Sequence, residues 1–135
     1  MDAKIAHLQL LQAVITRMGG NSFLLKGWTV TLVAALFALA AVKTMPYFIY
    51  LTYFPLLVFW MLDGYFLRQE RLFRKLYDRV RILPNDAIDF SMDTSTVAPD
   101  VKNWRDTCIS TTLVMFYGAI FAAVVIVMLI LIARA

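Results

Sequence analysis

The chain has 135 residues, 61% of them hydrophobic and only 16% charged, with a formal net charge of +4. That balance is too apolar for an ordinary soluble domain and points to an integral membrane protein forming one unit over residues 1–135. A single cysteine, Cys108, excludes an internal disulfide and any cysteine-based zinc cluster, and a single histidine, His7, leaves no multi-histidine metal site.

The chain opens on DAKIAHLQLLQAVITRM, residues 2–18. Ile5, Leu8, Leu11, Ile15 and Met18 recur every three or four residues, and Lys4, Gln9, Gln12 and Thr16 fall largely elsewhere. The pattern predicts an amphipathic helix. No short apolar run followed by a cleavage site is present in the first 22 residues, so no signal peptide is expected. Gly19, Gly20, Asn21 and Ser22 then predict a break, with Asn21 or Ser22 capping the next helix.

Three apolar windows follow, at 23–42, 46–67 and 109–132. Each comes close to or exceeds the roughly 20 residues that cross a bilayer as a helix, and helices are the open-chain solution that pairs every backbone group in lipid. Lys43, Thr44, Met45 and Pro46 form a very short link, which predicts an antiparallel hairpin. Pro46 suits the first turn of the second helix. Pro55 sits mid-span and frees the carbonyl of Leu51, which predicts a kink.

Neither Gly nor Pro interrupts the chain from Tyr65 to Leu83. Leu72, Phe73, Leu76, Val80 and Leu83 make an apolar stripe among basic residues, so the second span is expected to continue as a helical extension over 68–83. Two amphipathic stripes on one side of the membrane predict that helix 2–18 packs on helix 65–83; the alternative is that either lies on the lipid surface. Residues 84–106 form a polar loop. Its carboxylates Asp86, Asp89, Asp93, Asp100 and Asp106 do not follow a calcium-loop spacing. Asp100 reads as the N-cap of a short helix through Trp104.

Lys and Arg gather in the N-terminal segment and in 68–106, whereas the hairpin tip has only Lys43 and the C-terminal flank only Arg134. The positive-inside rule then predicts the orientation of a multi-pass membrane protein. The N-terminus and the 68–106 segment are cytoplasmic, and the C-terminus is periplasmic or extracellular. The basic run at 68–81 is explained by this topology, and nucleic acid is not an expected partner.

Asp63 is the one carboxylate inside an apolar window, and an ionisable group there is a functional-site candidate whose partner must be named. Lys26 and Asp63 are equally far from the hairpin tip, so antiparallel helices set them at one depth near the cytoplasmic interface. They are the candidate intramembrane ion pair, a register lock. A second reading makes Asp63 part of an acidic ring at the mouth of an oligomeric pore. Ala34, Ala38 and Ala41 in the first span, with Gly118 and Ala122 and with Ala119 and Ala123 in the third, form small-residue faces that allow close helix approach. The residues form no catalytic constellation, phosphate loop, dinucleotide fingerprint or metal site, and neither enzymatic activity nor a cofactor is expected. The fold class is therefore all-α: an integral membrane helical bundle of three transmembrane helices, an N-terminal amphipathic helix and a cytoplasmic extension of the second span.

Two stretches, NSFLLKGWTVTLVAALFALAA (21–41) and FWMLDGYFLRQERLFRKLYDRVR (59–81), resemble small bacterial membrane proteins. These look like the two-span-plus-helix effectors encoded beside nucleotide-signalling or TIR-type partners in antiphage defence. The resemblance covers roughly the first 81 residues, and the third span is additional to its pattern. It implies an oligomeric inner-membrane effector that permeabilises or remodels the membrane when activated by a cytosolic sensor or enzyme partner. The alternative function is a non-conducting anchor that recruits a cytosolic enzyme through its cytoplasmic helices. A solute transporter would need polar groups or helix breaks near the midplane, where only Pro55 and a few threonines stand.

Overall fold

The computed structural model describes residues 2–42 and 47–134, and the expectations for the hairpin tip at Lys43 to Pro46 lie outside them. Its first element, α1, is one uninterrupted helix from Asp2 to Ala40. At 1.5 Å per residue it is about 58 Å long, nearly twice the thickness of bilayer hydrocarbon.

The break expected at residues 19–22 is therefore absent. Gly19 and Gly20 both carry negative φ. A glycine costs about 1 kcal/mol relative to alanine inside a helix, which does not end a helix that is held on both sides. The hold is visible in the buried residues His7, Leu11, Ile15, Ser22, Leu25, Thr29, Val33 and Ala40. They lie three, four or seven residues apart and form one stripe from end to end. Ser22 is thus an inward-facing residue of α1 and not a cap. The N-terminal stripe is also rotated from the expected one: His7 faces inward, and Ile5 is 46% exposed.

The second span consists of a short helix α2, Phe48–Leu51, and a long helix α3, Tyr53–Val80. The interruption falls at Thr52, one turn before Pro55. Pro55 has no N–H for the Leu51 carbonyl. Around it the ladder tightens, with the Thr52 amide donating to Ile49 O at 3.2 Å, while the Thr52 hydroxyl donates to Phe48 O at 3.4 Å. Beyond Leu67 the helix runs on without a stop through the basic segment to Val80.

After α3 the chain makes two single 3-10 turns, Asn85–Ala87 and Ala98–Asp100. A five-residue helix follows, α4 (Trp104–Cys108), and then α5 (Thr111–Arg134). Asp100 does not cap the lead-in helix. The cap is Asn103, whose side chain accepts from the Asp106 amide at 2.9 Å, because helical dihedrals begin only after it. There is no strand among the described residues.

Among the described residues, three helices or helix runs are long and apolar enough to cross a membrane: α1, the run Phe48–Val80, and α5. They pack through two separate cores. The apolar core joins Val33 and Ala40 of α1, Ile49 and Leu56 of the second run, and Leu113, Tyr117 and Val124 of α5. The second core lies in the polar half, where Leu11 of α1 meets Leu76 and Val80 of α3 and Val97 of the connecting segment. Helix 2–18 thus packs on the α3 extension, and the segment after α3 closes over both.

Candidate functional site

The two cores are separated by a buried polar cluster, to which each long helix contributes. α1 supplies Ser22 and Lys26, one turn apart on its inward stripe. α3 supplies Asp63, and α5 supplies Tyr117. Lys26 Nζ lies 2.5 Å from Asp63 Oδ2 and donates to Ser22 Oγ at 2.8 Å. The Ser22 hydroxyl donates to Asp63 Oδ1. The Tyr117 hydroxyl donates to Asp63 Oδ2 at 2.9 Å.

Asp63 is fully buried, and the Lys26 side chain keeps 21% of its exposure. The structure therefore brings together the two residues named from sequence and adds two hydroxyl donors. A carboxylate removed from water needs its acceptor sites filled, and three donors fill them here. The aromatic surroundings suit the cation. Lys26 Nζ is 5.8 Å and 5.9 Å from the ring centroids of Phe116 and Tyr117, within cation–π range. Trp60 stacks on Tyr117, with centroids 5.7 Å apart and planes inclined by 12°.

Tyr117 is not among the residues the sequence points to. A signal was available: it is a hydroxyl two turns into an otherwise apolar helix, on the stripe Leu113–Tyr117–Val124. Ser22 reads from the sequence as a cap of the first span, whereas the structure turns it inward within α1.

Chemically the cluster neutralises itself. Buried ion pairs contribute little net stability, but removing one partner is costly, and such pairs serve best to fix register. Asp63 is enclosed by its own chain, so in this conformation it does not face an axis shared between subunits, as an acidic ring would require. Among the described residues no group of His, Cys, Asp and Glu could hold a metal ion.

Helix α4 crosses α3 next to the cluster, at Gly64. A Cβ on Gly64 would overlap Cys108 Sγ and would stand 3.4 Å from Trp104 Nε1. Glycine is thus required by close approach. The crossing is tied by Trp60 Nε1 donating to Cys108 O at 2.8 Å and by Trp104 Nε1 donating to Met61 O at 3.0 Å. Cys108 is a packing residue of this contact.

In the polar half, His7 is 1% exposed, and its Nε2 lies 2.9 Å from the carbonyl oxygen of Ser91. Phe90, held at φ 55°, sets its ring 5.6 Å from the imidazole. The Lys4 amide, in the first turn of α1, donates to Asn85 Oδ1 at 3.2 Å. The connecting segment therefore caps α1 and clasps its only histidine. Within it, the Asp93 carboxyl is held below its usual range by the backbone amide of Ser95.

The remaining sequence candidates stay apart from the cluster. Ala34 and Ala38 of α1 and Ala41 just after it are exposed, as are Ala119, Ala122 and Ala123 of α5, while Gly118 is half-buried. Neither face is covered within one chain. No protein-family model matches the chain, and neither a curated protein nor a solved structure is similar to it.

Proposed function

We propose that the chain is a three-span protein of the bacterial inner membrane. Its N-terminus and the polar half are cytoplasmic, and its copies assemble and permeabilise or remodel the membrane when activated. The observation that carries this reading is the exposure of both small-residue faces, on α1 and on α5. Small residues let helix backbones approach closely in lipid, where shape and not hydrophobicity drives association. The polar cluster keeps one subunit's interior closed, so a conducting path would run between subunits and open by wetting an apolar constriction. The resemblance of residues 21–41 and 59–81 to antiphage effectors suggests defence as the setting and a cytosolic partner as the trigger.

A second reading, a non-conducting anchor, is favoured by the well-packed polar half. There the connecting segment is fastened to both α1 and α3, as a recruitment platform would need.

One experiment separates the two without knowledge of the trigger. The chain is fused at its N-terminus to a domain that oligomerises on addition of a small molecule. Bacteria expressing it are then followed with a membrane-potential dye. Permeabilisation predicts depolarisation on induced clustering, abolished by Ala38→Leu with Ala122→Leu. Clustering shown by cross-linking, with no loss of potential, overturns it and leaves the anchor.

A further inference from the structure

The chain carries a second polar site, separate from the Asp63 cluster, where two hydropathy boundaries meet. α3 changes from apolar to basic at Arg68–Arg71, and the apolar run of α5 starts at Leu113, after Ser110, Thr111 and Thr112. Between them lies a cavity of ≈ 400 Å³ lined by Arg71, Lys102, Asp106, Ser110, Thr111 and Thr112, with Ile109 at its apolar margin.

Three features of this cavity are unsatisfied. Ser110 stands at the N-cap position of α5, its carbonyl accepting from the Val114 amide at 2.9 Å. Yet its hydroxyl is buried without a hydrogen-bond partner among the described residues. The first-turn amides of α5 have no partner within the helix, and a helix N-terminus favours an anion. Arg71 is half-buried, and neither it nor Lys102 forms an ion pair among the described residues. Two cations, an idle capping hydroxyl and free amides converging from three parts of the chain fit one phosphate group. Asp106 lines the same cavity with the opposite charge, and the Asn103 cap holds its backbone in place.

We infer that this cavity binds the headgroup of a phospholipid that carries both a phosphate and an N–H-bearing ammonium, the ethanolamine class. The phosphate lies against Arg71, Lys102 and the N-terminus of α5, and the ammonium lies against Asp106. A choline headgroup has no N–H to give Asp106, and a glycerol headgroup brings no positive charge to it. The location supplies the argument for lipid over free phosphate: the cavity sits where α3 and α5 both pass from apolar to polar sequence. The inference rests on the membrane reading above but not on permeabilisation. Binding to the detergent-solubilised chain is measured whether or not cells depolarise.

The test uses the full chain, delipidated in a mild detergent, with lipid binding read by native mass spectrometry. Phosphatidylethanolamine, phosphatidylcholine and phosphatidylglycerol of equal chain length are compared, with inorganic phosphate and glycerophosphoethanolamine as soluble competitors. Ethanolamine lipid is expected to bind tightest. Arg71→Gln and Lys102→Gln are each expected to weaken it about tenfold, the value of one charge-assisted contact. Asp106→Asn should erase the preference for ethanolamine over choline. Arg81→Gln, just past the C-terminal end of α3 and outside the cavity lining, should change nothing. Lys102 and Asp106 are exposed, so their variants keep the test open if Arg71→Gln fails to fold. Equal binding of all three lipids by the parent chain overturns the proposal, as does unchanged binding by Lys102→Gln. Displacement of the lipid by inorganic phosphate at equal concentration overturns the lipid assignment.

Discussion

Replacing Asp63 with asparagine removes the anion at the centre of the cluster while keeping its size. Lys26 then faces a neutral amide, and the amide has one acceptor oxygen where three donors had two. Breaking a buried ion pair on one side costs about 3–5 kcal/mol. Lys26 keeps 21% of its side-chain exposure and can extend its ammonium toward water, so the loss belongs near the lower end, about 3 kcal/mol. At roughly 2–4 °C per kcal/mol for a chain somewhat larger than this one, the melting temperature should fall by on the order of 6–12 °C. The assay is tryptophan fluorescence during thermal melts in detergent, with Trp60, stacked on Tyr117, as the reporter beside the cluster. The double reversal Lys26→Asp with Asp63→Lys should recover part of the loss of either single reversal, because Ser22 and Tyr117 hydroxyls accept as well as donate. An Asp63→Asn melt within about 1 kcal/mol of the parent, the worth of one ordinary hydrogen bond, would refute the reasoning. So would a double reversal no better than the worse single.

Tyr117→Phe removes one donor and leaves Lys26 and Ser22 in place. It should cost about 1.5–3 kcal/mol, the range for a hydrogen bond to a charged group, and should loosen α5 in hydrogen–deuterium exchange more than α1. Gly64→Ala should destabilise the chain by forcing α4 off α3, and adding Cys108→Ala should recover part of the loss because the overlapping sulfur is gone; thermal melts of the three variants check both. Gly20→Ala should stabilise by about 0.5–1 kcal/mol, since a Cβ there meets nothing within 4 Å. A loss at that position in the same melts would mean that α1 does break. His7→Ala should speed proteolytic cleavage between Asn85 and Asp100 by releasing the clasp on Ser91, which gel analysis of a limited digest reads directly.

The three long apolar helices, the continuation of α3 and the packing of 2–18 on it were legible because hydrophobic periodicity records which face is buried. Lys26 and Asp63 were legible because a short hairpin fixes relative depth by counting. The break expected at Gly19–Ser22 fails for a physical reason: glycine and serine are weak local signals, and a stripe buried on both sides outweighs them. The same expectation hid Ser22 as a ligand of Asp63, since a presumed capping serine cannot also face a core. Tyr117 was overlooked because periodicity treats a tyrosine as one more apolar residue, and only the third helix's docking brings its hydroxyl to a carboxylate far away in sequence. Asp100 lost the capping position to Asn103 because caps depend on backbone dihedrals, which the sequence 98–104 does not specify on its own.

The account stands on the claim that one ion pair fixes the depth of α1 against α3 within the bilayer. Solid-state NMR of the full chain in lipid, with lysine side-chain nitrogen and aspartate carboxyl carbon labelled, measures it directly. Lys26–Asp63 is the one lysine–aspartate pair within 4.0 Å among the described residues. The prediction is a single lysine nitrogen strongly dephased by an aspartate carboxyl at ion-pair distance, lost in Asp63→Asn. A spectrum with no such lysine, from chain shown to be folded in the bilayer, would contradict it.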